Sequence, residues 1–202
     1  MSAELFQFRD FAIKTAKQAG QLLMDNYGEL HQLEWQIRTN FRTEIDRKSD
    51  ALIRRAIHNK FPHHNIYSEE DKAKDTGSEY SWVIDPLDGT IPYTSGVNDH
   101  FAVCIALARQ KNPILGVVYA PKRDERYVGL EGFGASLNNQ PISVSEETNL
   151  NKALMGIDFG KTNRTSGVKI LEKLLSPDGI ACNFSSGCAS VPLCLVASGK
   201  LH

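Results

Sequence analysis

Cysteine is scarce: four occur in 202 residues, and no two are spaced as a C-x-x-C pair. Cys104, Cys182, Cys188 and Cys194 therefore offer no cysteine-based zinc site. Three of them lie in otherwise apolar surroundings and read as small reduced hydrophobes, and a reducing cytoplasm is the expected setting. Charge of one sign is lacking too, since 23 Lys and Arg against 24 Asp and Glu leave a net charge of -1. That balance gives no bulk attraction to nucleic acid or to an anionic membrane surface. The longest apolar stretch, from Phe101 to Ala108, is too short to cross a bilayer. An acidic Glu4 and no apolar signal core near the start argue against a secretory leader. Internal repeats and low-complexity tracts are absent as well.

What is present is an ordinary globular composition, 41% hydrophobic and 23% charged, with enough chain for one large domain or one and a half. Residues Glu4 to Tyr27 have helical period, with Phe8, Phe11, Ala12, Thr15, Ala16, Ala19, Leu22 and Leu23 on one face. Leu30 to Ile37 reads as extended and is followed by a polar break, Arg38 to Arg42. Thr43-Glu44-Ile45-Asp46 opens a second helix, which ends before Pro62. Short strands are expected at Asn65–Tyr67 and Ser81–Ile84. A meander follows over Phe101–Ala108, Leu115–Tyr119 and Arg126–Leu130, with turns at Lys111-Asn112-Pro113 and Pro121–Glu125. Beyond Glu146 come a strand near Ala153–Ile157 and helices near Ser166–Leu175 and Gly187–Ala197. The mixture predicts a layered α+β architecture (αβαβα), with an N-terminal α+β part over 1–145 and a smaller α/β part over 146–202.

The chemistry concentrates in Trp82-Val83-Ile84-Asp85-Pro86-Leu87-Asp88-Gly89-Thr90. An apolar strand delivers Asp85, Pro86 is expected to stop the strand, and a turn brings Asp88 round to the same point. Gly89 permits an unusual backbone angle, and Thr90 offers a hydroxyl and an amide. Two facing carboxylates repel unless a cation sits between them, and a hard ion such as Mg²⁺ prefers oxygen ligands. Taken alone, D-x-x-D-G is also ordinary turn chemistry. Glu69 and Glu70 follow the short strand Asn65–Tyr67, so neighbouring strands ending together would put Glu69 beside Asp85; a solvated acidic loop is the bland alternative. Asp46 satisfies a helix capping box with Thr43, which alone would explain it.

Together these segments resemble the inositol monophosphatase family, within the group that includes fructose-bisphosphatases and bisphosphate nucleotidases. The resemblance continues through His100–Leu107, Gly116–Pro121, Gly132–Ala135 and Gly187-Cys188-Ala189-Ser190. It implies two or three Mg²⁺ ions. Glu69, Asp85 and the Leu87 carbonyl would hold the first, Asp85 and Asp88 would share a second, and Glu69 would touch a third. It also implies that Asp46 and Thr90 orient and deprotonate the attacking water. The Gly89 and Thr90 amides would receive phosphate oxygens, and Asp88 with Gly187, Cys188 and Ala189 would line the place for the alcohol. The histidines, including His63 and His64, read as surface or loop groups.

The expected activity is hydrolysis of inositol monophosphate or a related small polyol phosphate, by a protein that similar enzymes suggest is a homodimer. Fructose-1,6-bisphosphatase, histidinol-phosphatase and bisphosphate nucleotidase are the alternatives within the group, and a non-catalytic interaction protein is the alternative outside it. The sequence departs from the family pattern at Ser68, where Gly is frequent, at Ile91-Pro92-Tyr93, and at Asp99. Similar proteins also run on into a strand and a Trp-Asp pair whose carboxylate completes the second metal site. The chain given ends at His202, so the expectation is that the 202-residue form is inactive or weak.

Overall fold

The structure is a computed structural model that describes residues 2–37, 40–158 and 164–202. Helix α1 (Ser2–Asp25) is apolar along one stripe, and Phe8, Ala12, Ala16, Ala19 and Leu23 from that stripe are buried. Helix α2 (Glu44–Lys60) buries Ile45, Ile53 and Ile57 at the same helical spacing. Both helices pack on one face of a seven-stranded sheet. Its strands, in order, are β3 (Asn65–Ser68), β4 (Tyr80–Asp88), β5 (Ala102–Arg109), β6 (Asn112–Ala120), β7 (Glu125–Leu130), β8 (Gly134–Leu137) and β9 (Gln140–Pro141). The β3–β4 pair is parallel, and every later pair is antiparallel.

Alternation decides which side chains meet the helices. Trp82 and Ile84 of β4, Val103, Ile105 and Leu107 of β5, and Leu115 and Val117 of β6 point to the helical face and are buried. Removing each such side chain from water contributes about 1.5–3 kcal/mol. Where α1 crosses β6 the approach is close: a Cβ at Gly20 would lie 2.6 Å from the Tyr119 ring. Trp82 is fully buried, and its indole N–H donates to His64 Nδ1 at 3.1 Å. His64, a half-buried loop residue, stacks on Phe61 and Tyr80 and so joins the aromatic core.

A hairpin, β1 (Leu33–Ile37) and β2 (Asn40–Thr43), leads into α2. The polar break expected over Arg38–Arg42 is therefore partly a strand; Arg38 and Thr39 lie outside the described residues. The expected turn at Lys111-Asn112-Pro113 sits one step earlier. Gln110 and Lys111 take the positive φ values of 50° and 70°, and Asn112-Pro113 already belongs to β6. Asn138 and Asn139 turn the chain the same way between β8 and β9.

The remaining elements are a short helix α3 (Thr90–Ser95), a parallel pair β10 (Leu154–Gly156) and β11 (Cys182–Phe184), and helices α4 (Arg164–Leu174) and α5 (Ser190–Ala197). Helix α5 begins at Ser190 rather than at Gly187, because residues 185–189 form a loop clamped by two carboxylates. It packs on β5 and β6, with Cys188 and Val191 buried against Ala102 and Ala120.

Candidate metal and phosphate site

Parallel pairing of β3 and β4 builds the first half of the site. Tyr67 lies opposite Val83 and Ser68 opposite Ile84, so the next residues in register are Glu69 and Asp85. The two carboxylates leave the same edge of the sheet, as the sequence reading anticipated. Strand β4 does not stop at Pro86. Its ladder with β5 breaks after Asp85↔Cys104 and resumes at Asp88↔Ala102, so Pro86 and Leu87 form a bulge within the strand. A bulge is where a residue without a backbone N–H is tolerated. Ser49 of α2 donates to the Pro86 carbonyl at 2.9 Å and fixes the bulge against the helix. Asp85 Oδ1 accepts the Leu87 amide at 3.1 Å.

Gly89 then turns the chain with φ 88° and is the residue before α3. A Cβ there would stand 2.5 Å from the His100 carbonyl, so only glycine fits. Thr90 opens α3, and its amide lies in a first turn whose N–H groups have no intrahelical acceptor. Pro92 also falls in that turn, so it removes no helical hydrogen bond.

Helix α2 supplies the second half. Thr43 caps it, and its hydroxyl and amide both donate to Asp46 Oδ2, at 2.6 and 2.7 Å. The other oxygen, Oδ1, accepts from the Thr90 hydroxyl at 3.2 Å, and that hydroxyl also lies 3.3 Å from the Leu87 carbonyl. Asp46 is thus both the N3 member of the capping box and the partner of Thr90. Burial raises its carboxyl above the usual range, and the hydrogen bonds from Thr43 and Thr90 oppose that rise. Ser68, the departure from the family's Gly, donates to buried Asp50 at 2.5 Å.

Electrostatic strain marks the centre. Burial pushes Asp85 up to about 8, with the Glu69 and Asp88 carboxylates adding to it. Burial, then the charges of Asp46 and Glu69, push Glu70 up to about 7. The donors at Glu69, Asp85 and the Leu87 carbonyl are all oxygen, and the crowded negative charge is what a hard divalent cation relieves; this part fits Mg²⁺. Asp88 stands apart. Its Oδ2 accepts the Ser190 amide at 2.6 Å, the Ala189 amide at 3.0 Å and the Cys188 thiol at 3.1 Å. Among the described residues no three His, Cys, Asp or Glu side chains surround one point as they stand. Asp88 Oδ2 is occupied by its donors, and Oδ1, with the Ala189 amide at 3.3 Å, is the oxygen left for a second ion.

That contact also places Gly187, Cys188 and Ala189 beside Asp88, across the chain from it in sequence. Burial and the Asp88 carboxylate push the Cys188 thiol well up, so it is neutral and no nucleophile. Three groups here were not anticipated. Asn98 donates to the Ser186 carbonyl at 3.0 Å. Asp158 binds Ser185 and Gly187. The His31 side chain is 2% exposed, against Glu44 at 3.0 Å. Each is joined to its partner by tertiary packing alone, and no spacing in the chain signals it.

Comparison with known proteins agrees with the geometry. A model described as the inositol monophosphatase family matches residues 4–202. The chain is 34% identical over 200 residues to a fructose-1,6-bisphosphatase/inositol-1-monophosphatase of Aquifex aeolicus, covering 96% of this chain and 75% of that protein. It is 33% identical over 199 residues to a putative Nus factor SuhB of Neisseria meningitidis, with coverage of 96% and 75%. The solved structure of a Thermotoga maritima IMPase superposes with a TM-score of 0.84 at 30% identity, covering 95% of this chain and 73% of that one. The fold is the one shared by these proteins, and the chain belongs to the inositol monophosphatase family.

Proposed function

We propose that this protein is a Mg²⁺-dependent phosphomonoesterase acting on inositol monophosphate or a related small polyol phosphate. The observation that carries the reading is the convergence of Glu69, Asp85 and the Asp46–Thr90 pair at one sheet edge. Glu69, Asp85 and the Leu87 carbonyl would hold one Mg²⁺, and Asp85 with Asp88 a second; a third at Glu69 completes the set the family implies. Ions bound there neutralise phosphate charge, acidify water and stabilise a departing alkoxide.

The chain's own residues do the rest. The Thr90 hydroxyl takes the proton of the attacking water as it passes its own to Asp46 Oδ1, the oxygen left free by Thr43. Burial makes Asp46 a stronger acceptor for that proton. Amides of Gly89 and Thr90 receive phosphate oxygens at the start of α3. Asp88 with Gly187, Cys188 and Ala189 faces the alcohol. No covalent phospho-enzyme is involved.

The test is phosphate release from a panel of phosphomonoesters, with and without Mg²⁺. Turnover of polyol monophosphates that needs Mg²⁺ supports the reading, and preference for a bisphosphate moves the protein to the fructose-bisphosphatase or nucleotidase side of the group. A second reading, a non-catalytic interaction protein, is favoured by the relative called a putative Nus factor. It gains if every phosphoester is refused in saturating Mg²⁺. A homodimer working in the cytoplasm, and a division of the chain near residue 145, complete the proposal.

A further inference from the structure

We infer that Asp158 is a positioning residue: it tethers the Ser185–Ala189 loop so that the alcohol side of the site keeps its shape when Asp88 also engages a cation or a substrate hydroxyl. The inference rests on the phosphatase reading above. Strands β10 and β11 run parallel, with Leu154 opposite Cys182 and Gly156 opposite Phe184. The Ile157 amide extends the pairing to the Phe184 carbonyl at 2.7 Å. The two strands therefore end together, and Asp158 comes out level with Ser186, as Glu69 comes out level with Asp85.

Asp158 uses that position fully. Its Oδ1 accepts the Ser185 hydroxyl at 2.5 Å and the Gly187 amide at 3.2 Å, and its Oδ2 accepts the Ser186 amide at 3.3 Å. The Ser186 hydroxyl has one proton, and the Cys188 carbonyl at 2.8 Å is a better acceptor for it than Asp158 Oδ2 at 3.3 Å. That hydroxyl in turn accepts the Cys188 amide at 3.1 Å. Ala189 and Ser190 give their amides to Asp88. Every amide from Ser186 to Ser190 is thus claimed, the first two by Asp158 and the last two by Asp88.

The division has a consequence. A carboxylate that also engages a cation or a substrate hydroxyl shares its charge with it and holds its two amides less tightly. As Asp88 takes up that second partner, Ala189 and Ser190 are held less tightly, and the loop relies on Asp158 and the Asn98 contact to the Ser186 carbonyl. Of these, only Asp158 carries charge, and charge-assisted bonds are the stronger kind. Asp158 also lines, with Cys188, Ala189 and Pro192, a cavity of about 260 Å³ next to the loop. Loop order is therefore set by a residue that touches no reacting atom.

Asp158→Ala and Asp158→Asn test this by hydrogen exchange and steady-state kinetics. The amides of Ser186 and Gly187 are expected to lose protection in Asp158→Ala, with KM raised roughly tenfold and kcat little changed, the signature of lost ground-state binding. Asp158→Asn keeps one acceptor oxygen and is expected to fall between. Unchanged protection and KM in both variants would overturn the inference. So would a fall in kcat at constant KM, or equal loss of unfolding temperature and all kinetic constants, which would mark a merely structural residue. If the wild type releases no phosphate at all, the phosphatase reading fails, and exchange at Ser186 and Gly187 still decides whether Asp158 holds the loop.

Discussion

Asp46 carries two roles that the same atoms serve without conflict. One carboxylate oxygen is consumed by the Thr43 cap and the other is turned to Thr90. Replacing Asp46 by Asn, or Thr90 by Ala, is expected to lower kcat by roughly 10²–10⁴-fold, the usual range for a positioned proton acceptor. Calorimetric Mg²⁺ affinity should change little in Thr90→Ala; a collapse there would make Thr90 a ligand instead. Asp85 gives a second prediction at this scale. Its raised value means that the metal-free folded state holds a proton the unfolded chain has lost, between the ordinary Asp value of 3.8 and about 8. Stability of the metal-free protein therefore falls as pH rises through that window, and Mg²⁺ restores it. Unfolding midpoints at several pH values, with and without Mg²⁺, check this, and a midpoint gain from Mg²⁺ that does not grow with pH would contradict it. Thr43, Asp46, Glu69, Asp85 and Asp88 were legible in the chain because each belongs to a short motif. Asp158, Asn98 and His31 were not, because their partners lie 13 or more residues away.

Among the elements, α1, α2 and the strands of the meander were readable from period alone, since one face of each is buried and the other is not. The strand around Pro86 was not. A proline reads as a stop, and only the Ser49 contact and the resumed pairing at Asp88 show that the strand survives it. The small strands β8, β9 and β11 have two to four residues and too little pattern to detect. His64 joins the aromatic cluster where Phe8 of α1 meets Tyr80 and Trp82 of β4, and its Nδ1 must be unprotonated to accept the Trp82 indole N–H. Burial holds its pKa below the ordinary 6.5. Here the unfolded chain takes up the proton first, so stability is lost as pH falls below about 6.5 and the loss levels off beneath the folded value. His64→Phe should flatten that part of the stability–pH curve while losing about 1 kcal/mol near neutrality from the unpaired indole N–H. An unaltered curve would remove His64 from the account.

Across the whole molecule one device is used twice, a pair of parallel strands that run out together and deliver carboxylates at their ends. Glu69 and Asp85 come from β3 and β4, and Asp158 faces the loop after β11. Helix α5 joins the two by setting its first amides on Asp88. Several large apolar side chains stay on the surface: Leu193 is 68% exposed, Val97 70% and Leu30 fully. The proposed homodimer is expected to be seen by sedimentation as a dimer at micromolar concentration. A concentration-independent monomer would count against the proposed homodimer. The most direct test of the central claim is phosphate release from inositol 1-phosphate across a Mg²⁺ titration, wild type beside Asp85→Asn. The account predicts Mg²⁺-dependent release in the wild type and loss of that dependence, with at least a hundredfold lower rate, in the variant. Equal release from both, or release by the wild type that ignores Mg²⁺, would contradict it.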